Sequence, residues 1–459
     1  MGFDNRMFAE GKVGKILFKF AVPAIISLFV SELYNMVDTF YVGRYVGANA
    51  IGALTIAFPV QRLLISIGLL IAIGASTAVA RSLGENDYDK LKQTINNAFI
   101  LTIMLLIIVP IAVFIFKEHI ITKLGASEAI YPYAESYISI VLIGGLFQSL
   151  TVVACYIMTA LGNTKITLVA TSIGAICNTI IDYIFVVSLS MGVKGAAIST
   201  VISQIIAFLF MVYKFSRVKK ALNLKLKLEF NFNITKAIVA IGFSTFIVEI
   251  SDAVVAVLLN NLVSVYGGDS AIIIVGVVSR LSMFLFITVI GISSAMQPIA
   301  AYNYGAKNYK RLKEIVKKAI YAVSVTSTIL WALMMIFTRP IIGSFLQDQS
   351  LLNEAVKAFR MCIAVFPVVG LYYVAIYFYQ SIEEARSSLI LSVYRQLILF
   401  IPIVIVLVNL IGVGGAWIAF PISDLISAVT GFYYIKKAGM LLESEREAYI
   451  REKETLNFS

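Results

Sequence analysis

The sequence is poor in charged residues, and this excludes a soluble fold. Only 14% of its 459 residues are charged, whereas 60% are hydrophobic and the mean hydropathy is +0.91. Soluble domains are about 25% charged and about 45–50% apolar. A water-soluble fold of this length could not bury so much apolar surface, so we expect an all-α membrane protein.

Histidine and cysteine are also scarce. His119 is the single histidine, and Cys155, Cys177 and Cys362 lie inside apolar runs without the spacing of a metal site or a disulfide framework. A membrane-embedded enzyme needs a nucleophile, a base or a metal cluster. We therefore expect no enzymatic activity, no catalytic residue and no cofactor. We also expect no cleaved signal, since the first apolar run continues into a full span.

Apolar runs of about 20 residues, enough for a helix to cross the ~30 Å hydrocarbon layer, recur along the whole chain. They predict twelve transmembrane helices, at residues 16–42, 51–80, 94–116, 131–160, 166–190, 195–215, 235–265, 271–300, 315–338, 355–381, 387–410 and 414–436.

The basic residues predict the orientation of these helices. With the N-terminus inside, about three quarters of the 37 lysines and arginines fall in cytoplasmic segments, as the positive-inside rule requires. The others, in external loops or within spans, are Arg44, Arg62, Lys117, Lys123, Lys194, Arg280, Arg339, Lys357 and Arg360. We expect a multi-pass protein of the cell membrane with both termini in the cytoplasm. The net charge of +11 then needs no nucleic acid as a partner.

The chain repeats itself at a spacing of about 221 residues. Residues 84–92 align with 305–313, and residues 192–198 align, shifted by one, with 412–418. Two matches in register indicate a duplication into two pseudo-symmetric six-helix lobes. The predicted boundaries are 1–215 for the N-terminal lobe, 216–234 for a basic cytoplasmic linker, 235–440 for the C-terminal lobe and 441–459 for a cytoplasmic tail.

The even number of spans in each half gives both halves the same orientation, so a symmetry axis should run along the membrane normal. The substrate path would then lie between the two halves.

Ionisable side chains inside predicted spans are candidates for function, because a charge in hydrocarbon is costly unless paired, hydrated or neutralised. Asp38 follows Tyr34 by one helical turn in the first span, and Asp182 follows Asn178 at the same spacing in the fifth. Two facing carboxylates suit proton capture, and carboxylate and amide oxygens together suit a hard monovalent cation. Either H⁺ or Na⁺ could be the coupling ion.

The order of several short motifs resembles the multidrug and toxic compound extrusion (MATE) family over almost the full chain. They are Pro23, residues 34–43 (YNMVDTFYVG), 81–84 (RSLG), 160–165 (ALGNTK), Asn178 with Asp182, and 195–200 (GAAIST). The resemblance implies a V-shaped pair of six-helix lobes and antiport of organic cations against Na⁺ or H⁺. It also implies an ion site, open to Na⁺, in the N-terminal lobe, formed by Asp38, Asn178, Asp182 and Thr200.

The C-terminal half departs from some relatives. Glu249 matches an acid of their seventh span, but their aspartate of the tenth span is replaced here by the apolar and aromatic stretch 368–373. We expect the ion cluster in one half only. The residues predicted to line a substrate cleft are Glu32, Tyr34, Asn35, Glu249, Asp252, Arg280, Met283 and Tyr373.

A flippase of lipid-linked substrates is the main alternative, because related superfamilies share duplicated architectures with many spans. Such proteins tend to hold diphosphates with cationic side chains, whereas here intramembrane acids outnumber the two arginines, Arg62 and Arg280. We therefore expect an exporter of small organic cations or drugs that contacts membrane lipids and acts as a monomer.

Overall fold

A computed structural model describes residues 5–225, 229–344, 346 and 348–457, and every regular element in these ranges is helical. The predicted linker contains residues 226–228, which lie outside the described residues. The helices are α1 (Asn5–Glu10), α2 (Val13–Tyr45), α3 (Ala48–Glu85), α4 (Tyr88–Ile115), α5 (Lys117–Lys123), α6 (Tyr131–Ala160), α7 (Ile166–Asp182), α8 (Gly192–Ala221), α9 (Phe232–Gly305), α10 (Tyr309–Gly343), α11 (Gln349–Cys362), α12 (Phe366–Ser381), α13 (Ala385–Val393), α14 (Ile401–Ile411) and α15 (Val413–Asn457).

The membrane-spanning helices agree with the predicted fold class. In the described ranges, 11 helices are long and apolar enough to cross a membrane, and the number is 12 if the bent pair α11 and α12 forms one span. α9 is interrupted at Gly268, whose φ of 57° is not helical. This break divides α9 into two spans. α8 and α15 continue past the predicted span ends, so the start of the predicted linker and most of the predicted tail are helical.

The chain forms two compact units, and their boundaries fall inside two long helices. Unit 1 comprises residues 1–7 and 26–246, and unit 2 comprises residues 8–25 and 247–459. α2 therefore begins in unit 2 and α9 begins in unit 1, which composition alone does not reveal. In unit 1, Gly242 of α9 lies against the backbone of Leu70, and Gly74 lies against the backbone of Ile238. A Cβ at either glycine would collide with that backbone, so glycine permits this close approach.

The repeat detected in the sequence produces the same turn in both halves. Asn86 and Lys307 have left-handed φ values of 59° and 54°, and the residue after each caps the next helix. Asp87 accepts a hydrogen bond from the backbone N–H of Lys90 at 2.9 Å, and Asn308 accepts one from Arg311 at 3.2 Å. The polar residue at this position supplies the acceptor that a helix N-terminus needs.

The second repeated motif also has one backbone conformation. Gly192 and Gly412 have φ values of 62° and 67°, a region in which residues with a Cβ are strained. Gly192 is the first residue of the last spanning helix of its half, and Gly412 immediately precedes the corresponding helix. The duplication therefore extends to backbone geometry.

One span of each half contains a widened π-helical turn. Tyr183–Ser188 directly follows α7, and Tyr394–Phe400 joins α13 to α14. In the second case Pro402 lacks the N–H that would bond one turn back, which favours the irregular turn before it. Such turns are frequent at functional sites because they redirect side chains.

Candidate functional site

Unit 1 buries a group of polar side chains, here called the acidic cluster. Its members are Tyr34 and Asp38 on α2, Asn178 and Asp182 on α7, and Ser199 and Thr200 on α8. Residues four apart on a helix share a face, so α2 and α7 each present two of these side chains together. The exposed fraction is 7% for Asp38, 0% for Asp182 and 0% for Asn178.

Ser199 connects α7 to α8. Its hydroxyl donates a hydrogen bond to Oδ1 of Asp182, and the amide Nδ2 of Asn178 donates to the Ser199 oxygen at 3.3 Å. The carboxylate of Asp182 is thus held in place by a neighbouring helix.

Asp38 is connected to other helices of unit 1 by tyrosines. The Tyr137 hydroxyl on α6 donates to Oδ2 of Asp38 at 3.4 Å, and Gln61 on α3 donates to the Tyr137 oxygen at 3.2 Å. The Tyr34 hydroxyl donates to Oγ1 of Thr200 at 3.5 Å. The Tyr137 contact positions the second carboxylate, and the Tyr34 contact joins α2 to α8.

The acidic cluster has more acceptor oxygens than donors. Oδ1 of Asp38, Oδ1 of Asn178 and Oδ2 of Asp182 are buried and have no hydrogen-bonding partner among the described residues. Buried acceptors without donors are costly, and a shared proton or a small hard cation would satisfy them.

The structure brings together the four residues that the resemblance implies, Asp38, Asn178, Asp182 and Thr200. Sequence reasoning did not assign a role to Ser199, although it lies next to Thr200 in the 195–200 motif. It also missed Tyr137 and Gln61, because a single polar residue on an apolar helix carries no signal of its partner in the fold.

Unit 2 contains a different polar group, here called the arginine cluster, in which Gln396 and Asp424 are buried and Asp252 is exposed. Its members are Asp252 on α9, Tyr373 on α12, Arg395 and Gln396 in the π-helical turn, and Asp424 on α15. Arg395 Nε lies 2.9 Å from Oδ1 of Asp424, and these side chains are 12% and 5% exposed. Arg395 also donates to the Tyr373 hydroxyl at 3.3 Å, and Gln396 donates to Asp252.

The arginine cluster corrects the assignment of one basic residue. Arg395 is absent from the predicted intramembrane cations and was counted with the cytoplasmic ones, but it lies within the spanning segment Ala385–Ile411. Its charge is tolerated there because Asp424 neutralises it and because its guanidinium lies 5.1 Å from the ring centroid of Phe286.

The eight residues predicted to line a cleft are divided between the units. Glu32, Tyr34 and Asn35 belong to unit 1, and Glu249, Asp252, Arg280, Met283 and Tyr373 belong to unit 2. Of these, Asp252 and Tyr373 take part in the arginine cluster and Tyr34 in the acidic cluster. The assignment of all eight to one substrate cleft stays a prediction.

The fold and the two clusters define a class of protein. Ionisable and polar groups buried within membrane-spanning helices mark ion or substrate pathways and are typical of a transporter.

Comparison with known proteins gives the family. The chain matches the MatE family over residues 23–184 and 240–406. It is 24% identical over 429 residues to the Multidrug export protein MepA of Staphylococcus aureus (strain NCTC 8325 / PS 47), covering 93% of this chain and 94% of that protein. This chain belongs to the MatE family of membrane transporters.

Solved structures share the fold. A MATE in complex with MaD3S matches with a TM-score of 0.90 and 22% identity, covering 97% of this chain and 100% of that one. A MOP superfamily transporter from Pyrococcus furiosus, described as having a reversed polarity of its binding pocket, also gives 0.90 and 22%, covering 96% and 99%. Both likenesses confirm the predicted architecture of twelve helices in two six-helix lobes.

Proposed function

We propose that this chain is a secondary active antiporter of the cell membrane that exports organic cations or drugs in exchange for H⁺ or Na⁺, with both termini in the cytoplasm. The observation that carries the proposal is the set of three buried oxygens in the acidic cluster without a donor, on Asp38, Asn178 and Asp182. A coupling ion supplies what these oxygens lack. The names of relatives such as MepA support drugs as the cargo.

The charge of the acidic cluster gives the reason for exchange. Two carboxylates in a low-dielectric interior attract a cation strongly, and binding of H⁺ or Na⁺ removes that attraction. A cationic cargo and the coupling ion should therefore weaken each other's binding by the same factor. Alternate binding of the two ligands then favours different states of the transporter.

The flippase alternative requires a cationic side chain free to hold a diphosphate. Arg395 is buried, but its charge is neutralised by Asp424 at 2.9 Å. The arginine cluster therefore offers no free positive charge to a diphosphate. The acidic cluster carries buried carboxylates, which favour a cationic cargo.

Transport from proteoliposomes tests the proposal. We expect the purified protein to drive efflux of a fluorescent organic cation when a Na⁺ or pH gradient is imposed, and Asp38→Asn and Asp182→Asn to abolish that dependence. Asp89→Asn is the matched control, since the Asp89 side chain is 91% exposed. Efflux that is independent of both gradients would overturn the antiport mechanism. Transport of a lipid diphosphate instead of the organic cation would establish the flippase.

A further inference from the structure

The clusters of the two units occupy related places in the fold. In each unit the cluster adjoins the π-helical turn of one span: Asp182 immediately precedes Tyr183–Ser188, and Arg395 and Gln396 lie inside Tyr394–Phe400. Gly192 follows the first turn after a short connection, whereas α14 separates the second turn from Gly412. A π-helical turn in the second-last span of each half thus adjoins a polar cluster, and the two clusters differ in charge.

We infer that Arg395 is the resident cation of unit 2, occupying the position among its oxygens where a free cation would otherwise bind. The inference rests on the proposed function, in which the acidic cluster of unit 1 binds the coupling ion. Unit 2 then takes no coupling ion, and Arg395 sets the number of ions exchanged.

The groups around Arg395 are those that bind a hard monovalent cation. Asp424 and Tyr373 contact the guanidinium through oxygen, at 2.9 and 3.3 Å. Asp252 accepts a hydrogen bond from the amide nitrogen of Gln396. Carboxylate and hydroxyl oxygens are ligands of the kind that a hard cation such as Na⁺ prefers.

One further oxygen points to a cation site. The amide Oε1 of Gln396 is buried and has no hydrogen-bonding partner in the part of the chain that the structure describes, while the residue is 7% exposed. The amide nitrogen is fixed by Asp252, so this oxygen cannot exchange places with it without losing that bond. Removing the guanidinium would leave the buried carboxylate of Asp424 and the Tyr373 hydroxyl without their cation, with the Gln396–Asp252 pair on the same π-helical turn.

Sodium binding tests the inference directly. We expect Arg395→Met in the full-length purified chain to bind one ²²Na⁺ more than the wild type at pH 8. The extra ion should disappear in Arg395→Met/Asp424→Asn, which lacks the main carboxylate. Arg395→Lys should bind no extra ion, because an ammonium still fills the position.

The outcomes separate the inference from the proposed function. Wild-type binding reports on the acidic cluster, whereas the difference between Arg395→Met and the double variant reports on unit 2. Equal ²²Na⁺ binding by these two variants would overturn the resident cation and show that the pair with Asp424 is only structural.

A folding defect in Arg395→Met would not end the test. Arg395→Gln, which keeps hydrogen-bonding capacity, can replace it in the same comparison. If both variants aggregate, they are purified in Na⁺ and in choline at equal ionic strength. We expect monodisperse protein only in Na⁺. Identical yields of monodisperse protein in the two salts would contradict the inference.

Discussion

The two units share a backbone plan and differ in how they treat buried charge. Unit 1 leaves carboxylate oxygens of Asp38 and Asp182 without a donor, whereas unit 2 places Arg395 against Asp424. The capped turns and the positive-φ glycines are common to both halves. Duplicated halves can therefore keep the same local fold and still differ in function. The difference comes from the charge of a few buried side chains.

The largest effect should come from neutralising the acidic cluster. We expect Asp38→Asn or Asp182→Asn to reduce ion-driven efflux at least about a hundredfold, because the amide keeps the shape but loses the charge that binds the ion. Glu249→Gln in unit 2 should weaken cargo affinity by only about threefold. Efflux from proteoliposomes measures the first effect, and equilibrium binding of a fluorescent cation, titrated against pH and Na⁺, measures the second and its ion dependence in each variant. If Glu249→Gln removed the ion dependence and Asp38→Asn retained it, the ion would act in unit 2.

A smaller but still large effect on stability should follow from separating the ion pair of unit 2. Asp424→Asn leaves the buried guanidinium of Arg395 without its main counter-ion, at a cost of about 3–5 kcal/mol. We expect a clear fall in the midpoint of thermal unfolding, largely reversed in Arg395→Met/Asp424→Asn. Asp89→Asn, in an exposed pair, should leave the midpoint unchanged. A normal midpoint for Asp424→Asn would show that the pair is not needed for folding.

A moderate effect should come from the serine that holds Asp182. We expect Ser199→Ala to weaken Na⁺ competition with cargo about tenfold, or to move proton competition about one unit to higher pH, because the carboxylate loses a donor. Ser203→Ala is the matched control, since its hydroxyl donates to the Ser199 carbonyl at 2.6 Å and not to a carboxylate. Equal shifts in the two variants would argue against a specific role for Ser199.

The smallest effect should be the same in both units. Asp87→Ala and Asn308→Ala each remove a helix cap and should cost about 1 kcal/mol. Asp87→Asn and Asn308→Asp keep an acceptor and should restore the unfolding midpoint. A large difference between the two alanine variants would show that the repeated turns are not energetically equivalent.

The sequence was informative about the acidic cluster because its residues have helical spacing. Asn178 and Asp182 lie one turn apart in an apolar run, and so do Tyr34 and Asp38, which marks a polar face where hydrocarbon is expected. The arginine cluster carried no comparable pattern. Arg395 lies ten residues from the start of α13, close enough to a span end to resemble a cytoplasmic charge.

By itself the sequence determined that this is a duplicated, helical membrane protein, because apolar run length and repeated turn motifs are local properties of the chain. It also placed two carboxylates within spans. Only the tertiary structure decided which buried charges meet, since the partners Asp182 and Ser199, or Arg395 and Asp424, lie on different helices. Helix packing therefore decides that the acidic cluster has carboxylate oxygens without donors, while an arginine neutralises a carboxylate of the other cluster.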